Sequence, residues 1–91
     1  MKRIDLLKKR QARLKEEITA NLDLLMGTIG KSPSMAGHNL TTKVEGKTVS
    51  LYVRKDIARK AKEMTGRNKK VRLLIPKLSK VNWDILKLEN E

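Results

Sequence analysis

Leu40-Thr41-Thr42-Lys43-Val44-Glu45-Gly46-Lys47-Thr48-Val49-Ser50-Leu51-Tyr52-Val53 is the stretch whose reading decides the fold. Leu40, Thr42 and Val44 alternate with Thr41 and Lys43; Val49, Leu51 and Val53 alternate with Thr48, Ser50 and Tyr52. A period of two sends successive side chains to opposite faces of a strand. Glu45-Gly46 lies midway, where glycine can take the positive φ that a tight hairpin turn demands. The spacing predicts a β-hairpin over 40–53. A two-stranded ribbon by itself is marginal in water, so the face bearing Leu40, Val44, Leu51 and Val53 is expected to lie on helices.

Downstream, Asp56 is a favourable N-cap residue, and helical spacing then continues almost to the last residue. Ile57, Ala61, Met64, Asn68, Val71, Ile75, Leu78, Asn82 and Ile85 recur in steps of four and three, which is a heptad seam. Asn68 and Asn82 share one seam position; they read either as helix-face polarity or as a buried pair that fixes register. Pro76 has no N–H to donate and should kink the helix or split it. Unbroken, 57–88 would measure about 48 Å, long for so small a body. Two helices are therefore expected, 56–75 and 76–89. Beyond Val71 a second apolar row, Leu74, Val81 and Leu88, joins Trp83 as a candidate partner interface.

Upstream, residues 30–39 read as a loop, broken by Pro33 and two glycines and containing His38. Before it, Ile4, Leu7, Leu14, Ile18, Leu22, Leu25 and Ile29 trace one apolar stripe, predicting a helix over 2–27 with Gly27 and Gly30 as stop signals. The expected architecture is a single α+β domain over 1–91, mainly α. A long N-terminal helix runs antiparallel to the C-terminal helices, with one β-hairpin between them.

Composition narrows the chemistry. The 91 residues contain no Cys and one His, which excludes disulfide scaffolds, thiolate metal sites and multi-His metal sites. With no Phe, one Trp and one Tyr, the core must be built from Leu, Ile, Val, Met and Ala. Such a small core invites a partner or a homo-oligomer. His38 has no neighbouring Ser/Asp pair, and no two carboxylates stand out as an acid–base couple, so an enzyme is not expected and no cofactor is implied. Gly27-Thr28-Ile29-Gly30-Lys31-Ser32 ends like a phosphate-binding P-loop. It has two residues between its glycines where that loop needs four, and it follows a helix where that loop follows a strand. No run approaches the roughly 18 apolar residues of a membrane span, and no apolar segment follows the basic N-terminus as in a signal peptide. A cytoplasmic protein is expected, associated with the nucleoid if it binds DNA.

Charge is the strongest signal. Lys and Arg number 22 against 10 Asp and Glu, a formal net charge of +12. Residues 1–15 carry +6 and residues 43–80 carry +10, while 16–42 and 81–91 carry −2 each. A one-signed excess of this density weakens folding unless something neutralises it, so a polyanion is the expected partner. Lys43 and Lys47 lie on the hairpin, with Arg54 and Lys55 at its exit. Arg59, Lys60, Lys62, Arg67, Lys69, Lys70 and Arg72 follow on the next helix, and Lys8, Lys9 and Arg10 lie on the first. A ribbon or helix of this kind fits the duplex major groove, with lysines contacting phosphate and arginines able to read guanine. Single-strand binders stack bases on several rings, and only Tyr52 and Trp83 are present.

Ser32-Pro33-Ser34, Gly37-His38-Asn39-Leu40-Thr41, Lys43-Val44-Glu45-Gly46-Lys47-Thr48, Tyr52-Val53-Arg54-Lys55, Met64-Thr65 and Leu78-Ser79-Lys80-Val81-Asn82-Trp83 together carry a resemblance. The stretch from Ser32 to Leu86 resembles a family of short bacterial and archaeal proteins of unknown function whose genes lie near transposase-like mobile elements. Some members carry a cysteine-bearing segment before the hairpin; this chain has none, so the resemblance implies no metal site. It implies a mobile-element context. The expected function is thus a non-catalytic accessory protein that grips duplex DNA. One alternative is an interaction subunit docking a larger transposase, polymerase or nuclease through its heptad helices. The other is a binder of structured RNA.

Overall fold

The computed structural model describes residues 2–31 and 37–91. Half of the loop expected over 30–39, and with it Ser32-Pro33-Ser34 of the resemblance, lies outside the described residues. Along the chain come α1 (Arg3–Ala20), β1 (Thr28–Lys31), β2 (His38–Val44), β3 (Lys47–Val53), a short 3-10 turn (Lys55–Ile57) and α2 (Ala58–Glu89). The fold is α+β and mainly helical, as the sequence predicts. The chain forms two compact units: a helical unit of Met1–Leu22 with Lys69–Glu91, and a sheet unit of Asp23–Asn68.

In the sheet unit the hairpin forms as predicted and gains a third strand. β2 and β3 pair antiparallel with Leu40 opposite Leu51 and Thr42 opposite Val49. Glu45 and Gly46 both have positive φ, at 51° and 79°, the signature of a type I′ turn. β1 adds to the outer edge of β2, with Ile29 opposite Leu40. Residues 28–31 were expected to end a helix and begin a loop. They form a strand because Gly27, at φ 128°, turns the chain tightly enough for Thr28–Lys31 to reach the free edge of β2. His38 and Asn39 likewise belong to a strand rather than to the loop.

The pleat puts Ile29, Leu40, Leu51 and Val53 on one face and Thr28, Asn39, Thr41, Lys43, Ser50 and Tyr52 on the other. Leu40 and Val53 are buried against Ala58 and Ala61, with Leu25 and Ile29 alongside. Val44 and Leu51, expected to join them, stay about half exposed. The helix leaves the sheet at the Val53 end and presents only small residues there, so its cover stops short of the hairpin tip.

The segment after α1 belongs to this unit as well. The backbone N–H of Leu25 donates to the Met64 carbonyl at 3.1 Å, and Arg67 Nη1 donates to the Asp23 carbonyl at 3.0 Å. These bonds hold residues 23–25 as irregular chain, so the helix expected over 2–27 ends at Ala20. Asp56 lies in the 3-10 turn that leads into α2 and sits 3.5 Å from Arg54 Nε.

In the helical unit α1 runs antiparallel to the end of α2. Gln11 Nε2 donates to Asn82 Oδ1 at 2.7 Å, and Lys8 lies 3.7 Å from Glu89. Leu14, Leu74, Val81 and Ile85 form the core, flanked by Ile4, Leu7, Ile18 and Leu78. Leu74 and Val81, expected at a partner interface, are instead interior residues of this unit, and Leu88 is half-buried. Ile75 and Asn82, expected in the seam, are instead exposed. A heptad seam presumes one partner along the whole helix. Here α2 packs on the sheet through Ala58 and Ala61 and on α1 through Leu74, Val81 and Ile85, and Thr65, Asn68 and Val71, which lie between these in sequence, are buried as well. Successive steps of three at 68, 71 and 74 change the phase between those two stripes.

Pro76 neither ends nor splits α2, which continues from Ala58 to Glu89. Proline removes one N–H and so frees one carbonyl, that of Arg72 four residues earlier. Both residues are exposed, so water can satisfy it. The ring still costs the helix up to about 3 kcal/mol relative to alanine. Pro76→Ala is therefore expected to raise stability by about 1–3 kcal/mol, read as a higher urea midpoint at unchanged slope.

Candidate nucleic-acid interface

The basic residues of the sheet unit divide among separate surfaces. On α2 the small or polar positions Ala58, Ala61, Thr65 and Asn68 turn inward and are buried, Ala58 and Ala61 against Leu40 and Val53. Buried Thr65 satisfies its own hydroxyl by donating to the Lys62 carbonyl at 2.9 Å. Arg59, Lys60 and Lys62 fall on the solvent side and are exposed. Among the described residues none of the three has a carboxylate within 4.0 Å. The acids nearest to them in sequence are Asp56, three residues before Arg59, and Glu63, directly after Lys62. Arg54 and Lys55 are exposed where the sheet gives way to the helix. Arg54 pairs with Asp56 in an exposed contact that contributes little.

The hairpin does not share that surface. Lys43 is on the open polar face with Tyr52, whereas Lys47, opposite Val44, is on the face that α2 partly covers. The two lysines therefore point to opposite sides of the sheet and cannot act as one ribbon-borne patch. Tyr52 is 56 % exposed. A Cβ on Gly37 would stand 2.7 Å from the Tyr52 ring and from the Val53 carbonyl, so the ring is braced on one side by the bare Gly37 backbone. That leaves one braced aromatic on an open face of hydroxyl and amide side chains, short of the row of rings that single strands use.

Arg67 is half-buried, and one of its guanidinium nitrogens is occupied by the Asp23 carbonyl. It acts as a tie within the sheet unit rather than as a free phosphate contact. Lys69, Lys70 and Arg72 continue along α2 in the helical unit and are exposed. In the same unit Lys8 is engaged with Glu89, and Lys9 is exposed. Arg10 instead lines a groove together with Arg13, Lys77 and Lys80, three cations that sequence reasoning passed over. Their signal was available: both pairs are spaced three apart, which puts them on one face of their helix.

Asp84 also lines this groove, and its carboxyl is held below the usual aspartate range. The hydrogen bond from Lys80 at 3.0 Å is the main cause; Lys80 and Lys87 add charge attraction, and partial burial opposes them. Trp83 is 54 % exposed beside Leu86, with Lys87 Nζ 5.7 Å from the ring centroid.

Among the described residues no three His, Asp or Glu side chains converge on a point that could hold a metal ion, and no helix is long and apolar enough to cross a membrane. Comparison with protein-family models, curated proteins and solved structures gives no match.

Proposed function

We propose that the chain is a non-catalytic nucleic-acid-binding accessory protein of a mobile genetic element, gripping the backbone of duplex DNA. One observation carries this reading: Arg59, Lys60 and Lys62 stand on the solvent side of α2, unpaired by carboxylates among the described residues. A helix held rigidly on a sheet presents such cations to phosphate without having to order first. Arg54 and Lys55 extend the same charge to the helix start. The mobile-element context rests on the resemblance of residues 32–86 alone.

The test is a salt titration of duplex binding by fluorescence anisotropy. Three phosphate contacts give a log–log slope near −2.7, so affinity should fall at least about 40-fold between 50 and 200 mM salt. The variant Arg59→Gln/Lys60→Gln/Lys62→Gln should flatten the slope by about 2–3. An affinity that is flat across that range sinks the reading. A structured RNA hairpin titrated in parallel separates the two nucleic acids: tighter RNA binding makes RNA the ligand.

A second reading has its own support. The exposed Trp83 and Leu86 at the end of α2 favour an interaction subunit that docks a larger enzyme or a second copy. Light scattering on the same sample distinguishes a lone chain from a self-associating one.

A further inference from the structure

In the helical unit a groove of about 580 Å³ opens between α1 and the end of α2. Its floor is apolar, formed by Leu14, Leu74 and Val81. Its walls carry two cation pairs, Arg10 with Arg13 on α1 and Lys77 with Lys80 on α2. Two acids accompany them, Glu17 and Asp84. Asp84 is already held by Lys80 at 3.0 Å and Lys87 at 3.7 Å. Arg10, Arg13 and Lys77 therefore share one remaining carboxylate, Glu17, and none of them comes within 4.0 Å of any carboxylate among the described residues. Folding has brought like charges to face each other over an apolar floor.

Such an arrangement costs repulsion unless an anion relieves it, and low-dielectric walls concentrate the field on whatever enters. The volume lies within the ~300–1,000 Å³ range of small-molecule sites. Arginine forks grip phosphate oxygens in pairs, and lysines add point charge. We propose that this groove is a phosphoanion-binding site, with Arg13 and Lys77 as its principal ligands and the Leu14, Leu74 and Val81 floor excluding water beneath them. The phosphoanion is either a free polyphosphate or the backbone phosphates of a bound nucleic acid. The site belongs to the helical unit, whereas Arg59, Lys60 and Lys62 belong to the sheet unit, and it does not depend on the duplex-binding reading.

The experiment titrates inorganic tripolyphosphate into the full chain and follows backbone amides by NMR. Shifts are expected within 10–17 and 74–84. Arg13→Gln/Lys77→Gln should weaken binding about tenfold, and it removes no hydrogen bond or ion pair found among the described residues. Glu17→Gln, which removes the opposing charge, should tighten binding about threefold, an effect that damage to the fold cannot imitate. Equal affinity of wild type and the Arg13/Lys77 variant, or shifts confined to the sheet unit, would overturn the site. In Arg59→Gln/Lys60→Gln/Lys62→Gln, a duplex that displaces tripolyphosphate identifies backbone phosphate as the occupant, and one that does not identifies a free polyphosphate. Salt-independent duplex binding by wild type would sink the proposed function and leave the tripolyphosphate result standing.

Discussion

Gly27→Ala should lower unfolding stability by about 3 kcal/mol, because two penalties fall on the same atom. At φ 128° the backbone occupies a region that residues with a side chain rarely enter, which costs about 1–3 kcal/mol. The added Cβ would also collide with the Thr41 carbonyl oxygen and lie 3.0 Å from Thr42 Cβ and 3.1 Å from Leu40 Cδ1. A carbonyl inside a strand pairing cannot swing away without breaking the ladder. The chain must then either strain or release β1 from β2. For a domain of this size the loss corresponds to a fall in Tm of roughly 10–20 °C. Gly30→Ala is the control: among the described residues nothing lies within 4 Å of its Cβ position, so a change within about 0.5 kcal/mol is expected. Amide exchange should speed up across Thr28–Lys31 and the facing residues of β2 in the first variant only. A melt within 1 kcal/mol of wild type for Gly27→Ala would show that the turn tolerates a side chain and that β1 does not depend on it.

β1 is also where sequence reading failed, and the cause is physical. Thr28-Ile29-Gly30-Lys31 offers one apolar side chain and a glycine, too little alternation to mark a strand. Its strand character comes from the free edge of β2, a partner not adjacent in sequence, and from the conformation of Gly27. The hairpin, by contrast, was legible because both of its determinants are local: two-residue alternation on either side of a glycine able to adopt positive φ. The end of α1 was misplaced for a related reason. Leu22, Leu24 and Leu25 continue the helical stripe of residues 4–18, yet Leu25 packs with the sheet and its N–H bonds to Met64. One apolar run serves two cores, and periodicity cannot mark where the first stops.

The candidate interface was legible as charge and illegible as surface. Sequence placed Arg59, Lys60 and Lys62 on an exposed helix, and they are exposed. It could not show that Lys43 and Lys47 project from opposite faces, although the pleat makes this inevitable once Val44 is paired with Lys47 across the turn. Nor could it show that Arg67 is occupied by a backbone carbonyl contributed by residue 23, or that Arg10 turns into a groove with Arg13, Lys77 and Lys80. Those facts require two elements to be placed side by side. Composition supplies the number of cations; packing decides which of them can meet one ligand.

The phase of α2 can be tested directly with three neighbouring residues. Leu74 is 7 % exposed within the core of Leu14, Val81 and Ile85, whereas Leu73 is 71 % and Ile75 52 % exposed. Leu74→Ala should cost about 2–5 kcal/mol, the transfer of the lost side chain plus the cavity left behind. The upper half of that range is the expectation here. The cluster that contains Leu74 has only three other buried residues, Leu14, Val81 and Ile85, so few neighbours can move in to fill the gap. Leu73→Ala and Ile75→Ala should each change stability by under about 0.5 kcal/mol. In a small domain whose total stability is on the order of 5–10 kcal/mol, the first change approaches unfolding while the other two pass unnoticed. A regular heptad makes the opposite prediction, because it seats Ile75 in the seam with Val71 and Leu78 and leaves Leu74 outside it. Chemical denaturation of the three variants therefore separates the two phases by several kcal/mol. A larger loss at Ile75 than at Leu74 would restore the single seam, and with it the apolar row of Leu74, Val81 and Leu88 as a surface free for a partner.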